Sequence, residues 1–134
     1  MFLLNKPSFQ LMERSLDAST LRQKVISNNV ANVDTPYYKR SEVRFEELLE
    51  QQMNGSSLEG RRTDPRHFYI GRPAQPVQPE VVSDGNTSIN NNLNNVDVDY
   101  EMSLMAKNQL RYNVVVQELN SELKRVRTAI EGRR

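Results

Sequence analysis

Asp97, Asp99 and Glu101 place three carboxylates at alternate positions, the pattern by which calcium loops present oxygen ligands. A calcium loop also needs a longer ligand set and a glycine-directed turn. Neither follows Asp97, where the sequence runs straight into a helical pattern. The trio is therefore expected to cap and charge a helix N-terminus. His67 is the one histidine. Without a cysteine partner, a serine-containing elbow or an acidic orienter it completes no catalytic constellation. It reads as a surface or locally packed side chain after the Asp64-Pro65-Arg66 turn. Glu46, Glu47 and Glu50 read as the solvated face of a short helix, not as a paired acid and base. There is no cysteine, which excludes disulfides, thiolate zinc sites and cysteine nucleophiles, and there is no glycine-rich phosphate loop. No catalytic residue, metal or cofactor is expected. Asn54-Gly55-Ser56 and Asn86-Thr87-Ser88 match the glycosylation sequon, a pattern short enough to arise by chance.

The densest signal is Ser27-Asn28-Asn29-Val30-Ala31-Asn32-Val33-Asp34-Thr35-Pro36-Tyr37-Tyr38-Lys39-Arg40. Asparagine is a poor helix-interior residue because its amide competes for backbone hydrogen bonds. Three asparagines at the end of a helix imply amides that close a turn or bond to a neighbouring backbone. Asp34-Thr35-Pro36 then forces an extended or turn conformation. On these grounds alone a capped helix terminus with no partner remains open.

The elements that must position these groups are two terminal helices. From about Ser8 to Val33 the pattern is helical, with Leu11, Ala18, Leu21 and Val25 on a seven-residue rhythm and Arg14, Asn28 and Asn32 on the same stripe. Ser8 is placed to cap the start after Pro7, and Pro36 ends the run. Val98, Met102, Met105, Gln109, Tyr112, Val116, Leu119, Leu123, Val126 and Ile130 follow unbroken 4-3-4-3 spacing. That is a heptad seam of more than four repeats in a segment free of glycine and proline until Gly132. Lys124, Arg125, Arg127, Arg133 and Arg134 lie towards its end and favour the helix dipole. A short amphipathic helix is expected near residues 42–53 through Phe45, Leu48, Leu49 and Met53. The stretch from Asn54 to Asn95 holds four of the six prolines, four of the five glycines and, over Asn86–Asn95, six asparagines. It reads as exposed or ordering on assembly, with His67-Phe68-Tyr69-Ile70 and Pro79-Glu80-Val81-Val82 as short strands.

Three segments result: 1–36, an N-terminal helix with its asparagine-rich end; 37–95, an irregular middle; and 96–134, a long coiled-coil helix. The fold class is mainly α, the two terminal helices paired as an antiparallel coiled coil beside an extended, partly β or disordered middle. At 134 residues, with an apolar fraction of 37% and a mean hydropathy of −0.72, a large core is not expected. Eighteen basic against 17 acidic side chains lack the basic excess of a nucleic-acid binder. Met1-Phe2-Leu3-Leu4-Asn5-Lys6-Pro7 lacks the apolar run of a secretory signal, and no stretch approaches the roughly 20 apolar residues that span a bilayer. Two helices alone leave much of each apolar stripe in water, so the remainder is expected to meet other subunits.

The first motif resembles the signature of the flagellar rod and hook proteins, S-N-N-[hydrophobic]-A-N-x-x-T-P-G-Y, through Ser27, Asn28, Asn29, Val30, Ala31, Asn32, Thr35, Pro36 and Tyr38. Tyr37 stands where that pattern has glycine, so the turn is expected not to use positive φ freely. Asn94-Asn95-Val96-Asp97-Val98-Asp99-Tyr100-Glu101-Met102 is similar to the segment leading into the C-terminal helix of the family's proximal-rod members. The resemblance spans the whole chain and is loosest over residues 54–92. It implies a non-enzymatic subunit of the basal-body rod, exported without a cleaved signal through the flagellar type III apparatus. The implied partners are copies of itself, FlgC-type and distal rod proteins and a FliE-type basal adaptor, with no nucleic acid and no small-molecule substrate. It implies an assembly seam made of Leu11, Ala18, Leu21 and Val25 with Val98, Met102, Met105, Tyr112, Val116, Leu119, Leu123, Val126 and Ile130. The competing readings are another axial subunit, such as a FlgC-type protein, and a secreted coiled-coil adaptor or chaperone.

Overall fold

A computed structural model describes residues 6–54, 64, 77–85, 87–89 and 93–132. Chain order is α1 (Pro7–Ala31), β1 (Ser41–Arg44), α2 (Glu46–Asn54), β2 (Glu80–Ser83) and α3 (Val98–Glu131). The mainly helical class with long terminal helices holds. The expected strand at His67–Ile70 lies outside the described residues.

Helix α1 starts one residue earlier than its sequence pattern suggests, and Ser8 does not cap it. Pro7 takes the first turn, where its missing N–H is no loss, and Lys6 is the N-cap without a side-chain hydrogen bond. The helix ends at Ala31, five residues before Pro36; Asn32 closes it through its backbone N–H to the Asn29 and Val30 carbonyls. The expected helix at 42–53 is also redrawn. Residues 41–44 form β1, Phe45 is buried, and α2 begins at Glu46. Val43 and Phe45 point to one side of an extended chain, a period of two that overrides the helical spacing of the residues after them.

Strands β1 and β2 pair antiparallel in the register Ser41 to Ser83, Glu42 to Val82, Val43 to Val81 and Arg44 to Glu80. A further bond from the Asp84 N–H to the Arg40 carbonyl, at 3.0 Å, prolongs the ladder. Two strands are marginal alone, and β1 lies against α1. Phe9, Ala18 and Ile26 of α1, with Val43, Phe45 and Val96, are the buried apolar side chains. This core is small, and among the described residues just as many polar side chains are buried beside it: Ser19, Asn29, Asn94, Asn95, Glu101 and Asn108.

Helices α1 and α3 pack antiparallel. The Asn108 amide donates to the Ser19 carbonyl at 2.9 Å, while the far end of α1 meets the chain just before α3 through Asn94. With Ser19 opposite Asn108, a rise of about 1.5 Å per residue sets Pro7 opposite roughly Asn120. Residues 121–131 of α3 therefore run on past the first residue of α1.

Candidate functional site

The end of α1, the turn after it and the start of α3 form one hydrogen-bonded junction. Asn29, fully buried, brackets the start of β1: its amide donates to the Ser41 carbonyl at 2.8 Å, and its carbonyl accepts the Ser41 N–H at 3.0 Å. The Tyr38 hydroxyl donates to Asn29 Oδ1 and accepts from Asn28 Nδ2, both at 3.2 Å. Burial, and secondarily the Glu101 carboxylate, hold the Tyr38 phenol above its ordinary value. Asn32 ties back to the Asn28 carbonyl at 2.8 Å and accepts from the Thr35 hydroxyl at 3.2 Å.

The turn before α3 completes this junction. The Asn94 amide donates to the carbonyls of Asn32, Val33 and Thr35, each at 2.9 Å, capping the backbone groups that the end of α1 leaves over. Its own carbonyl accepts the Val96 N–H at 2.7 Å. Asn95 accepts the Arg40 N–H at 2.6 Å and donates to the Asp84 carbonyl and the Thr87 hydroxyl. Lys39 reaches the carbonyls of Thr87 and Leu93 at 2.7 and 3.0 Å. Asn94 and Asn95, at the end of the asparagine-rich run, are thus buried within the chain, against the expectation of a segment exposed or ordering on assembly. Asn94 and Asn95 each donate to partners 8 or more residues away, which no local pattern displays.

The acidic trio divides. Asp97 is the N-cap of α3 and accepts from the N–H groups of Asp99 and Tyr100; this is the capping role expected of it. Glu101 is instead 0% exposed, and its Oε1 accepts from Arg40 Nε at 3.1 Å. The Arg40 guanidinium also lies over the Tyr100 ring, 5.3 Å from its centroid, within cation–π range. Glu46 stays on the exposed face expected of it but is not idle there. It joins Arg22 of α1 at 2.6 Å and Arg111 of α3 at 2.8 Å, so the start of α2 bridges both long helices. Among the described residues no group of three or more His, Cys, Asp or Glu could hold a metal ion.

Tyr37 adopts φ 64, against the expectation that a side chain there keeps the turn from positive φ. Its ring stands 73% exposed, so the left-handed backbone, which costs a non-glycine residue about 1–2 kcal/mol, is imposed by the bonds on either side. Of the signature residues, Asn29, Asn32, Thr35 and Tyr38 hold the junction together. Ser27, Asn28, Ala31, Thr35 and Pro36 are exposed, and Val30 is half-buried.

The seam residues are distributed unevenly. Ala18 is buried; Leu21, Val25, Met105, Val116, Leu119 and Val126 are half-buried; Leu11, Val98, Met102, Tyr112, Leu123 and Ile130 are exposed. In the proximal half of α3 the side turned to α1 runs through Glu101, Leu104 and Asn108, about one position round the helix from the 4-3-4-3 line. Ile130 reaches 72% exposure, and Leu110 and Val114, on a further face, 68% and 64%. Single exposed apolar residues are ordinary, but a continuous set on one helix marks an interface.

A family model described as "Flagella basal body rod protein" matches residues 13–39, the segment that carries the junction's first half. The flagellar basal body rod protein FlgB of Bacillus subtilis is 39% identical over 125 residues, covering 93% of this chain and 94% of that protein. FlgB of Borreliella burgdorferi is 36% identical over 113 residues, 81% of this chain and 84% of that one. The flagellar basal-body rod protein FlgG of Buchnera aphidicola is 34% identical over 96 residues, 69% of this chain but 37% of its own length.

Proposed function

The chain belongs to the FlgB family of flagellar basal body rod proteins, a structural subunit of the rod, and from that membership we propose how it assembles. It occupies the proximal rod, beside FlgC-type subunits and a FliE-type basal adaptor, with distal rod proteins beyond. It leaves the cytoplasm through the flagellar type III apparatus, and it carries load by packing, with no chemical step. One observation supports this reading above the others: α3 outruns α1 by its last eleven residues, 121–131, and its apolar side chains at Leu110, Val114, Leu123 and Ile130 lie open to neighbours. Burying such side chains against adjacent subunits returns about 25 cal/mol per Å² of apolar surface, and the sum over a helical array resists shear between subunits. In this reading Leu11, Ala18, Leu21 and Val25 and the seam from Val98 to Ile130 interdigitate with neighbouring copies as well as within the chain.

A clean in-frame deletion tests it, read by electron microscopy of purified basal bodies and by swimming. Loss of swimming, with basal structures that end at the membrane ring, is the expected outcome. Full rods and hooks in the deletion strain would sink the proximal placement.

A further inference from the structure

The two ends of the helix pair present surfaces of opposite charge. Where α1 closes and α3 begins, Tyr37 is 73% exposed, Ile89 64% and Leu93 49%. One set of hydrogen bonds gathers them. The Ile89 N–H donates to the Asn94 carbonyl at 3.0 Å, Lys39 holds the Leu93 carbonyl at 3.0 Å, and the Asn94 amide holds the Thr35 carbonyl, two residues before Tyr37. Tyr37 and Leu93 share a left-handed backbone, with φ 64 and 63, which is a genuine outlier for a bulky side chain. Such outliers persist where surrounding bonds over-determine them, and they gather at functional sites. Here they hold two large apolar side chains in water, where glycine or asparagine would make the same turn at less cost. Asp34, Asp97 and Asp99 are exposed at this end, and among the described residues none of them joins an ion pair. The nearby cations are engaged, Lys39 with two carbonyls and Arg40 with Glu101 and Glu42.

The far end is the overhang of α3. It carries Leu123, 43% exposed, and Ile130, 72% exposed, with Lys124, Arg125 and Arg127 exposed beside them. From Ser121 to Arg134 the sequence holds five basic and two acidic side chains. Arg125 and Arg127 pair with Glu122 and Glu131 along the helix surface, while Lys124 joins no carboxylate among the described residues. We propose that this chain binds a second copy of itself head to tail. The overhang of one copy, residues 121–131, lies on the Tyr37, Ile89 and Leu93 end of the next, with its cations against Asp34, Asp97 and Asp99. The occupant follows from the match: one chain carries an apolar end beside acids and an apolar end beside bases. Each end complements the other and opposes its own kind, because pairing like ends would set like charges together. A contact between unlike surfaces repeats from copy to copy instead of closing on itself. The inference rests on the chain being a rod subunit, since the rod is where copies would meet in this way.

Disulfide trapping tests it, in a chain that has no cysteine of its own. Ile89→Cys and Ile130→Cys, carried on two separate chains in one strain, are oxidised in purified basal bodies with copper phenanthroline. The expected product is a dimer whose peptides join position 89 of one copy to position 130 of the other. Tyr37→Asn keeps a residue that tolerates the left-handed turn and removes the ring; it should cut the dimer by about tenfold or more. Lys124→Glu should lower it as well, and Asp34→Lys added to that chain should bring it back. Links from 89 to 89 or from 130 to 130 would mean a symmetric pair, a link to another polypeptide would mean a different occupant, and no link in basal bodies that contain the chain would mean no contact. Each of these overturns the proposal, as does a dimer undiminished by Tyr37→Asn. Should either cysteine keep the chain out of basal bodies, swimming decides: Lys124→Glu is expected to impair it and Asp34→Lys to rescue it, and failure of the rescue overturns the contact. Absence of the unaltered chain from basal bodies would instead strike the rod assignment, so the two failures are distinct.

Discussion

From Val98 to Asn108, α3 runs beside α1 and β1, and its inward side chains are largely polar and individually partnered. From Arg111 to Glu131 the same helix has no buried side chain, yet it carries the regular apolar spacing. The proximal half is held by directed contacts such as Asn108 to Ser19 and Glu101 to Arg40. Directed contacts specify one geometry, because a misplaced buried polar group loses its partner outright. The distal half offers area without direction, which tolerates several arrangements until a neighbour selects one. One helix thus divides its labour: the first turns settle the shape of the subunit, and the last turns keep apolar side chains that the subunit itself does not fully bury.

The comparison breaks most visibly if a charge is set into the distal half. Leu119→Asp should abolish rod assembly and swimming while the subunit is still exported; normal swimming would show that the apolar stripe is not used between subunits. The next largest effect falls in the proximal half. Arg40→Met leaves Glu101 buried beside no close cation, a change that costs about 3–5 kcal/mol. Urea unfolding of the purified subunit, followed by far-ultraviolet circular dichroism, should show the helical signal collapsing to lower denaturant. An unchanged midpoint would mean that the ion pair does not hold the junction. Asn94→Ala removes the amide that caps three carbonyls and should cost about 2–3 kcal/mol in the same assay. The smallest effect has the opposite sign. Tyr37→Gly relieves a left-handed backbone worth about 1–2 kcal/mol and loses part of that to glycine's greater unfolded entropy, for a net gain near 0.5–1 kcal/mol. A destabilised variant would show that the Tyr37 ring contributes more than its exposure implies.

Both long helices, the cap at Asp97 and the strand at Glu80–Ser83 were legible in the sequence, because each rests on spacing or on neighbours within a few residues. The junction was legible only in part. The asparagines after Ser27 announced amides in search of backbone, but the partner of Asn29 is the start of a strand, and that strand needs β2 beyond residue 79 to exist. Val43 and Phe45 carried an alternating signal that the helical spacing of Leu48 and Leu49 masked. Glu101 reads as one more acid at a helix start; its buried state depends on Arg40, 61 residues earlier. The asparagine-rich run looks solvated because composition cannot say that the amides of Asn94 and Asn95 turn inward. Glu46 is exposed as its pattern implies, but its ion-pair partners lie 24 and 65 residues away on different helices, beyond any local signal.

The clasp of Asn94 on the Asn32, Val33 and Thr35 carbonyls has a consequence for how this architecture varies. It ties together two points of the chain that flank everything outside the helical pair. Whatever is spliced between α2 and β2 hangs from a closed buckle and need not disturb the helices. Loop-closure entropy rises by only about 0.6 kcal/mol for each doubling of a flexible loop, so a much longer cassette between the same anchors adds little strain. A buckle of this kind lets one pair of helices serve as the common shank for attachments of very different size.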